Sequence, residues 1–239
     1  MSAVIGRTDE VRVNLARLRG RIAAACKRAG RQVDTVSLIV ITKNFPASDV
    51  RILAALGVTD VGENRHPEAF LKRSECLDLA LRWHFVGALQ SNKAHVVGSY
   101  SDVVHSVDRR KLVSALSRGV CEADRVSPLD CFVQVSLDGP GAAGNRSGVP
   151  PEMLGDLAGA VAEAPGLRLV GLMAVAPLGG DPRLAFGQLA RCGADLLAEH
   201  PGATRLSAGM SDDLEEAIAA GATHVRVGRS VLGVRPPVE

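Results

Sequence analysis

The first apolar positions of the chain recur at helical spacing. Val11, Leu15, Leu18 and Ile22 fall on one face, and the pattern predicts a helix over 8–29. Thr8 stands as its N-cap, Asp9 and Glu10 complement the helix dipole, and Gly30 supplies the stop. From residue 36 the period changes. The run 36–42 is nearly all β-branched, as expected of a strand buried on both faces. Predicted strands follow at 60–62, 82–86, 102–105, 129–137, 167–174, 204–207 and 223–227. Between them lie predicted helices at 48–56, 68–77, 92–97, 109–123, 151–164, 181–199 and 212–220, and Arg229 opens a short last turn.

Eight strands, each followed by a helical segment, specify a parallel sheet with helices outside. At this length they predict an α/β fold closed as one TIM-type (β/α)8 barrel. The expected organisation is one domain over 1–239, with an extra N-terminal helix in 1–30 packing on the barrel. An open doubly wound sheet is the alternative, but no GxGxxG follows the first strand. The Gly/Pro-rich stretch 138–144 reads as a loop after strand five.

Composition narrows the function classes. A net charge of +2 with dispersed Lys and Arg is no footprint for nucleic acid, and 3% aromatics leaves little to stack on bases. No apolar run approaches a membrane span, and the N-terminus is charged throughout, unlike a signal peptide. The five cysteines contain no CxxC pair and read as reduced structural thiols of a cytoplasmic protein. The six histidines show no metal spacing, so no metal site is expected.

In such barrels chemistry sits at the C-terminal ends of the strands. The polar residues falling there include Lys43, Glu63, Asn64, Gln90, Asn92, Ser106, Asp108, Asn145, Arg146, Ser207, Ser211 and Arg229, with His84 and Arg226 inside strands. Lys43 closes a strongly apolar strand, where desolvation lowers an amine's pKa and readies it for Schiff-base formation. A lysine snorkelling into solvent accounts equally for its position. The segment 206–213 and Arg226 to Arg229 bracket the loops after strands seven and eight, the recurrent phosphate site of this fold. There Gly209 permits close backbone approach, Ser211 or Asp212 is placed to cap the next helix, and Gly228 precedes a helix start. A pair of ordinary N-caps is the competing account. His84 reads equally as a satisfied core histidine.

Taken in order, these blocks resemble a known family. ITKNFP at 41–46, GENR at 62–65, WHFVGALQSNK at 83–93, HSVD at 105–108, GLMA at 171–174, LSAGMS at 206–211 and VRVG at 225–228 are similar to the YggS-like pyridoxal 5′-phosphate (PLP) homeostasis proteins. These are relatives of the alanine racemase N-terminal barrel, and the likeness runs from the first helix to Gly233. The resemblance implies the type III PLP barrel without its C-terminal β-domain. It implies that Lys43 forms the Schiff base with PLP, and that Ser207 and the backbone of Gly228 and Arg229 cradle the phosphate. Met210 and Ser211 line the same loop, Arg226 faces the pyridine nitrogen, and Asn64 neighbours the ring. The pattern departs at Thr42 and Asn44 beside the lysine, at Ala88 where proline is usual, at Arg229 where a small hydroxyl residue is common, and at His66 and Pro67.

The family role is PLP (vitamin B6) homeostasis, with PLP-dependent apo-enzymes as prospective recipients. Racemisation would need a second acid/base, which the racemase relatives take from a tyrosine of an added β-domain. The sequence runs only about ten residues past strand eight, too few for such a domain. Its single tyrosine, Tyr100, is expected at the bottom of the barrel. The expectation is a monomeric, non-catalytic binding protein; the alternatives are a weak racemase and a Schiff-base aldolase barrel without PLP.

Overall fold

The structure, a computed structural model, describes residues 6–138 and 147–233. Asn145 and Arg146, and most of the Gly/Pro-rich stretch, lie outside the described residues. Helix α1 (Arg7–Arg28) precedes strand β1 (Ser37–Ile41). There follow α2 (Ala47–Ala55), β2 (Asp60–Glu63), α3 (Glu68–Ser74), β3 (Arg82–Phe85), α4 (Ser91–Tyr100), β4 (Val103–Val107) and α5 (Arg110–Glu122). Then come β5 (Leu129–Gln134), α6 (Leu154–Glu163), β6 (Leu167–Met173), α7 (Pro182–Glu199), β7 (Arg205–Ser207), α8 (Leu214–Ala219), β8 (His224–Val227) and α9 (Arg229–Leu232). The strands close in sequence order, all parallel, with β8 pairing back to β1.

Alternation along each strand sorts side chains into two compartments. Outward residues such as Val40, Val61 and Val225 meet the helices. Against them α1 lays Val11, Leu15, Leu18 and Ile22, all buried, and it packs on α8 and α9. Each such side chain contributes about 1.5–3 kcal/mol of burial. Inward residues fill the barrel with an apolar plug of Val103, Phe132, Val170 and Met173, and with polar side chains described below.

Several local expectations need correction. Gly6, not Thr8, is the N-cap of α1, and it makes no side-chain cap. Neither Ser211 nor Asp212 caps α8: Asp213 holds that place and accepts the Met210 amide at 2.6 Å. Strand five stops at Gln134, since beyond it Val135 makes only an isolated bridge to Val149. Strand four runs on to Val107, so Ser106 is a buried strand residue rather than a loop one.

Candidate functional site

Lys43 sits half-buried in the tight turn that leaves β1. Asn44 follows with φ 65°, a left-handed conformation that Asn tolerates better than most residues. A buried ion cluster anchors this turn from both sides. Lys72 Nζ, on α3, donates to the Thr42 carbonyl at 2.8 Å, to Glu63 Oε1 at 2.5 Å and to Glu68 Oε1 at 3.1 Å. Glu68 Oε1 also accepts the Asn44 amide at 2.6 Å, and the Thr42 hydroxyl donates to Glu63 Oε1 at 2.6 Å. The peptide groups before and after Lys43 are thus both tied to α3. Burial holds the Glu63 carboxyl above its ordinary value, against the charge and hydrogen bond of Lys72. Sequence reasoning missed Lys72 and Glu68. Their only linear signal is an i,i+4 Glu–Lys pair, which usually marks a solvated helix face.

A cavity of about 700 Å³ opens at this end of the barrel, lined by Ile41, Lys43, Met210, Ser211, Asp212, Arg226, Gly228, Arg229 and Gly233. Six of the eight residues that the resemblance assigns to PLP therefore share one space: Lys43, Met210, Ser211, Arg226, Gly228 and Arg229. At Gly228 a Cβ would stand 3.1 Å from the Ile41 carbonyl, so glycine keeps backbone close to backbone there. Arg229 and Ser230 open α9, where amides have no intrahelical acceptor and can face an anion. Asn64 is not in this cavity. It lines a smaller one of about 270 Å³ with Val86, Gly87, Ala88, Gln134 and Met173.

Ser207 is the second residue the structure places elsewhere. It is fully buried below the cavity, and its hydroxyl belongs to a chain of side chains that crosses the barrel interior. Arg226 Nη1 lies 2.6 Å from Ser207 Oγ, which lies 2.9 Å from His105 Nδ1. His105 Nε2 is 2.9 Å from His84 Nδ1, and His84 Nε2 is 2.8 Å from Asp60 Oδ1. The donors fix the direction. A guanidinium only donates, so Ser207 accepts from Arg226 and turns its proton to His105 Nδ1. Neutral His105 then donates from Nε2 to His84, and neutral His84 donates from Nε2 to the Asp60 carboxylate. Burial keeps both imidazoles below their ordinary pKa, His105 the more so, as neutrality requires. Burial also draws Arg226 down to about 10, with Asp213 opposing, so the guanidinium stays charged at neutral pH. Its Nη2 donates to the Ala174 carbonyl at 2.9 Å. His84 is thus a satisfied interior histidine.

Tyr100 ends α4 near the bottom, but its side chain leans back toward the helix N-terminus, as helical side chains do. Its ring stacks on His66 at 5.9 Å and meets Phe70 edge-on at 5.5 Å. It is buried, packed against α3 on the outside of the barrel, and does not line the Lys43 cavity.

Comparison with known proteins agrees with this architecture. The model of the family described as alanine racemase, N-terminal domain, matches residues 13–236. A pyridoxal phosphate homeostasis protein of Mycobacterium bovis is 43% identical, over 98% of this chain and 96% of its own length. One of Escherichia coli K12 is 36% identical, over 95% of this chain and 97% of its own. The structure of PipY from Synechococcus elongatus superposes with a TM-score of 0.81 without PLP and 0.78 with PLP bound. The two share 34% and 33% identity with this chain and are each covered in full by 93% of it. An alanine racemase of Corynebacterium glutamicum shares the fold at 15% identity, with 95% of this chain covering 61% of that one (TM-score 0.67). The chain belongs to the alanine racemase N-terminal domain family, alongside the pyridoxal phosphate homeostasis proteins.

Proposed function

We propose that this protein binds PLP and serves in its intracellular homeostasis, with Lys43 as the anchoring amine. The observation that carries the reading is the meeting of Lys43, Arg226, Gly228 and Arg229 on one cavity at the C-terminal end of the barrel. When bound, PLP supplies an aldehyde that condenses with a neutral amine and releases water. Around it, Gly228 and the first amides of α9 would hold the phosphate, and the Arg229 side chain would add charge where a small hydroxyl residue is common in the family. Ser211 and Met210 form the facing wall. Arg226, a charged donor that cannot accept, keeps the pyridine nitrogen unprotonated and so weakens the ring as an electron sink. Ser207 acts in this scheme through Arg226 rather than on the phosphate, and Asn64 reaches the ring from the neighbouring cavity.

The protein is a carrier rather than a catalyst in this reading. Its single tyrosine is engaged with His66 and Phe70, and the buried Arg226 disfavours carbanion chemistry. The chain acts as one domain over 1–239, as a monomer in the cytoplasm, and gives PLP to apo-enzymes. Its five cysteines, all free, fit a reducing compartment. Among the described residues no helix is long and apolar enough to cross a membrane.

The test is the visible spectrum of purified protein with added PLP, wild type beside Lys43→Ala, followed by borohydride reduction. A yellow band in wild type alone, with the reduced adduct on Lys43, is expected. No band, or equal bands in both, overturns the assignment. Exchange of an amino acid's α-proton in deuterated water would replace the carrier by a weak racemase.

A further inference from the structure

The opposite end of the barrel holds a second cavity of about 680 Å³, and arginines line it. Arg82, Arg168 and Arg205 stand at the starts of β3, β6 and β7, Arg73 comes from α3, and Arg125 from the loop after α5. Three of them converge on one carboxylate. Arg168 Nε reaches Asp130 Oδ1 at 2.5 Å, Arg205 Nη1 reaches Oδ2 at 3.0 Å, and Arg82 Nη2 shares that oxygen. Asp130 itself is fully buried beneath them.

A ring of ion pairs that merely closed the barrel would balance its charges. This one does not. Five guanidinium groups meet three carboxylates, Asp60, Asp102 and Asp130, an excess of two positive charges. Arg73 Nε is buried with no hydrogen-bond partner. Burial chiefly holds the Arg125 guanidinium below its ordinary value, against Asp102, and Arg73 adds a smaller push in the same direction. The neighbouring His84, His105 and His224 are buried and held neutral, so they neither add to the excess nor offset it. Arg82, Arg168 and Arg205 remain 35–55% exposed at the rim, open to a ligand.

We infer that this basin at the N-terminal end of the barrel is a second anion site, built for a compact dianion of the phosphate or phosphate-monoester class. Guanidinium forks match a phosphate's oxygens two at a time, and a cleft lined by one sign of charge concentrates the opposite ion. A dianion would neutralise the excess of two. The volume is close to that of the Lys43 cavity, enough for a phosphate carrying a small organic group.

The probe is inorganic phosphate, titrated by calorimetry at low ionic strength. Four proteins are compared: wild type, Arg73→Gln/Arg168→Gln, Arg73→Lys/Arg168→Lys, and Arg229→Ala at the opposite end. Both basin substitutions leave Asp130 two arginine partners, and circular dichroism confirms their fold. Wild type is expected to bind phosphate saturably at the basin. The glutamine pair should weaken that binding at least tenfold, the lysine pair less, and Arg229→Ala should leave it in place. Glycerol phosphate in place of inorganic phosphate tells the ester from the free ion by which binds more tightly. Phosphate binding that is absent, that Arg229→Ala abolishes, or that the folded glutamine pair leaves at wild-type affinity would overturn the inference. None of these outcomes depends on whether Lys43 takes up PLP.

Discussion

Replacing Lys72 by methionine tests whether the buried ion cluster holds the lysine turn. Lys72 and Glu63 are 6% and 1% exposed, and Glu63 Oε2 already has no hydrogen-bond partner. In Lys72→Met the apolar chain is kept while the ammonium is lost. Glu63 retains only the Thr42 hydroxyl, and the Thr42 carbonyl keeps only the Phe45 amide. Removing one partner of a buried ion pair costs about 3–5 kcal/mol, because a charge is left uncompensated. For a domain of this size that is a fall in Tm of roughly 6–20 °C.

The loss must also depend on pH. Glu63 has a folded pKa raised above its unfolded value of 4.5, chiefly by burial. Such a group contributes stability that is complete below 4.5 and drains away as pH rises through the folded value. Without Lys72 the main opposing charge is gone, the folded value climbs, and the drain extends to higher pH. The variant's deficit at pH 8 is therefore larger than at pH 5.5, where Glu63 can take a proton. Urea unfolding at both values, followed by the fluorescence of buried Trp83 and by circular dichroism, measures it. A deficit under about 1 kcal/mol at pH 8 is far below the cost of an uncompensated buried charge, and one equal at the two pH values means that Glu63 is not the charge left behind; either would refute the cluster as an anchor.

Ser207→Ala cuts the interior chain between Arg226 and His105, leaving a charged donor with the Ala174 carbonyl alone. About 1.5–3 kcal/mol of stability should be lost, and unfolding midpoints matching wild type would mean that the hydroxyl contributes nothing. Gly171→Ala should prevent the folded protein from accumulating. Its Cβ would stand 1.7 Å from the Arg205 carbonyl oxygen at φ 150°, so β6 and β7 could not stay paired. Wild-type yield and melting for that variant would contradict the pairing.

What the sequence disclosed follows from which interactions are local. Strand and helix periods depend on neighbours a few residues apart, so the alternation that closes the barrel could be read directly, with ends displaced by one to a few residues. The caps were misread because Thr8, Ser211 and Asp212 are good capping residues by type. The chain enters α1 two residues earlier, and the loop after β7 is spent on the Asp213–Met210 contact instead. Lys43 and the residues of the β7 and β8 loops were legible because strand ends on one face of a barrel converge whatever their loops do. The interior chain was not. It links Asp60, His84, His105, Ser207 and Arg226 from five strands, including pairs that share no ladder, such as β4 with β7. Yet each strand carries a trace of it. Arg82 and His84 alternate with Trp83 and Phe85, and His105 follows two valines in a strand buried along its length. A polar residue at every second position of a two-face-buried strand has only the barrel interior to occupy, where it must find a partner or lose the cost of its desolvation. With eight strands tilted around one axis, the partners available are the other inward polar residues at the same height. The histidines, serine and arginine therefore had to meet one another, and the carboxylate at Asp60 gives their run of donors a place to end.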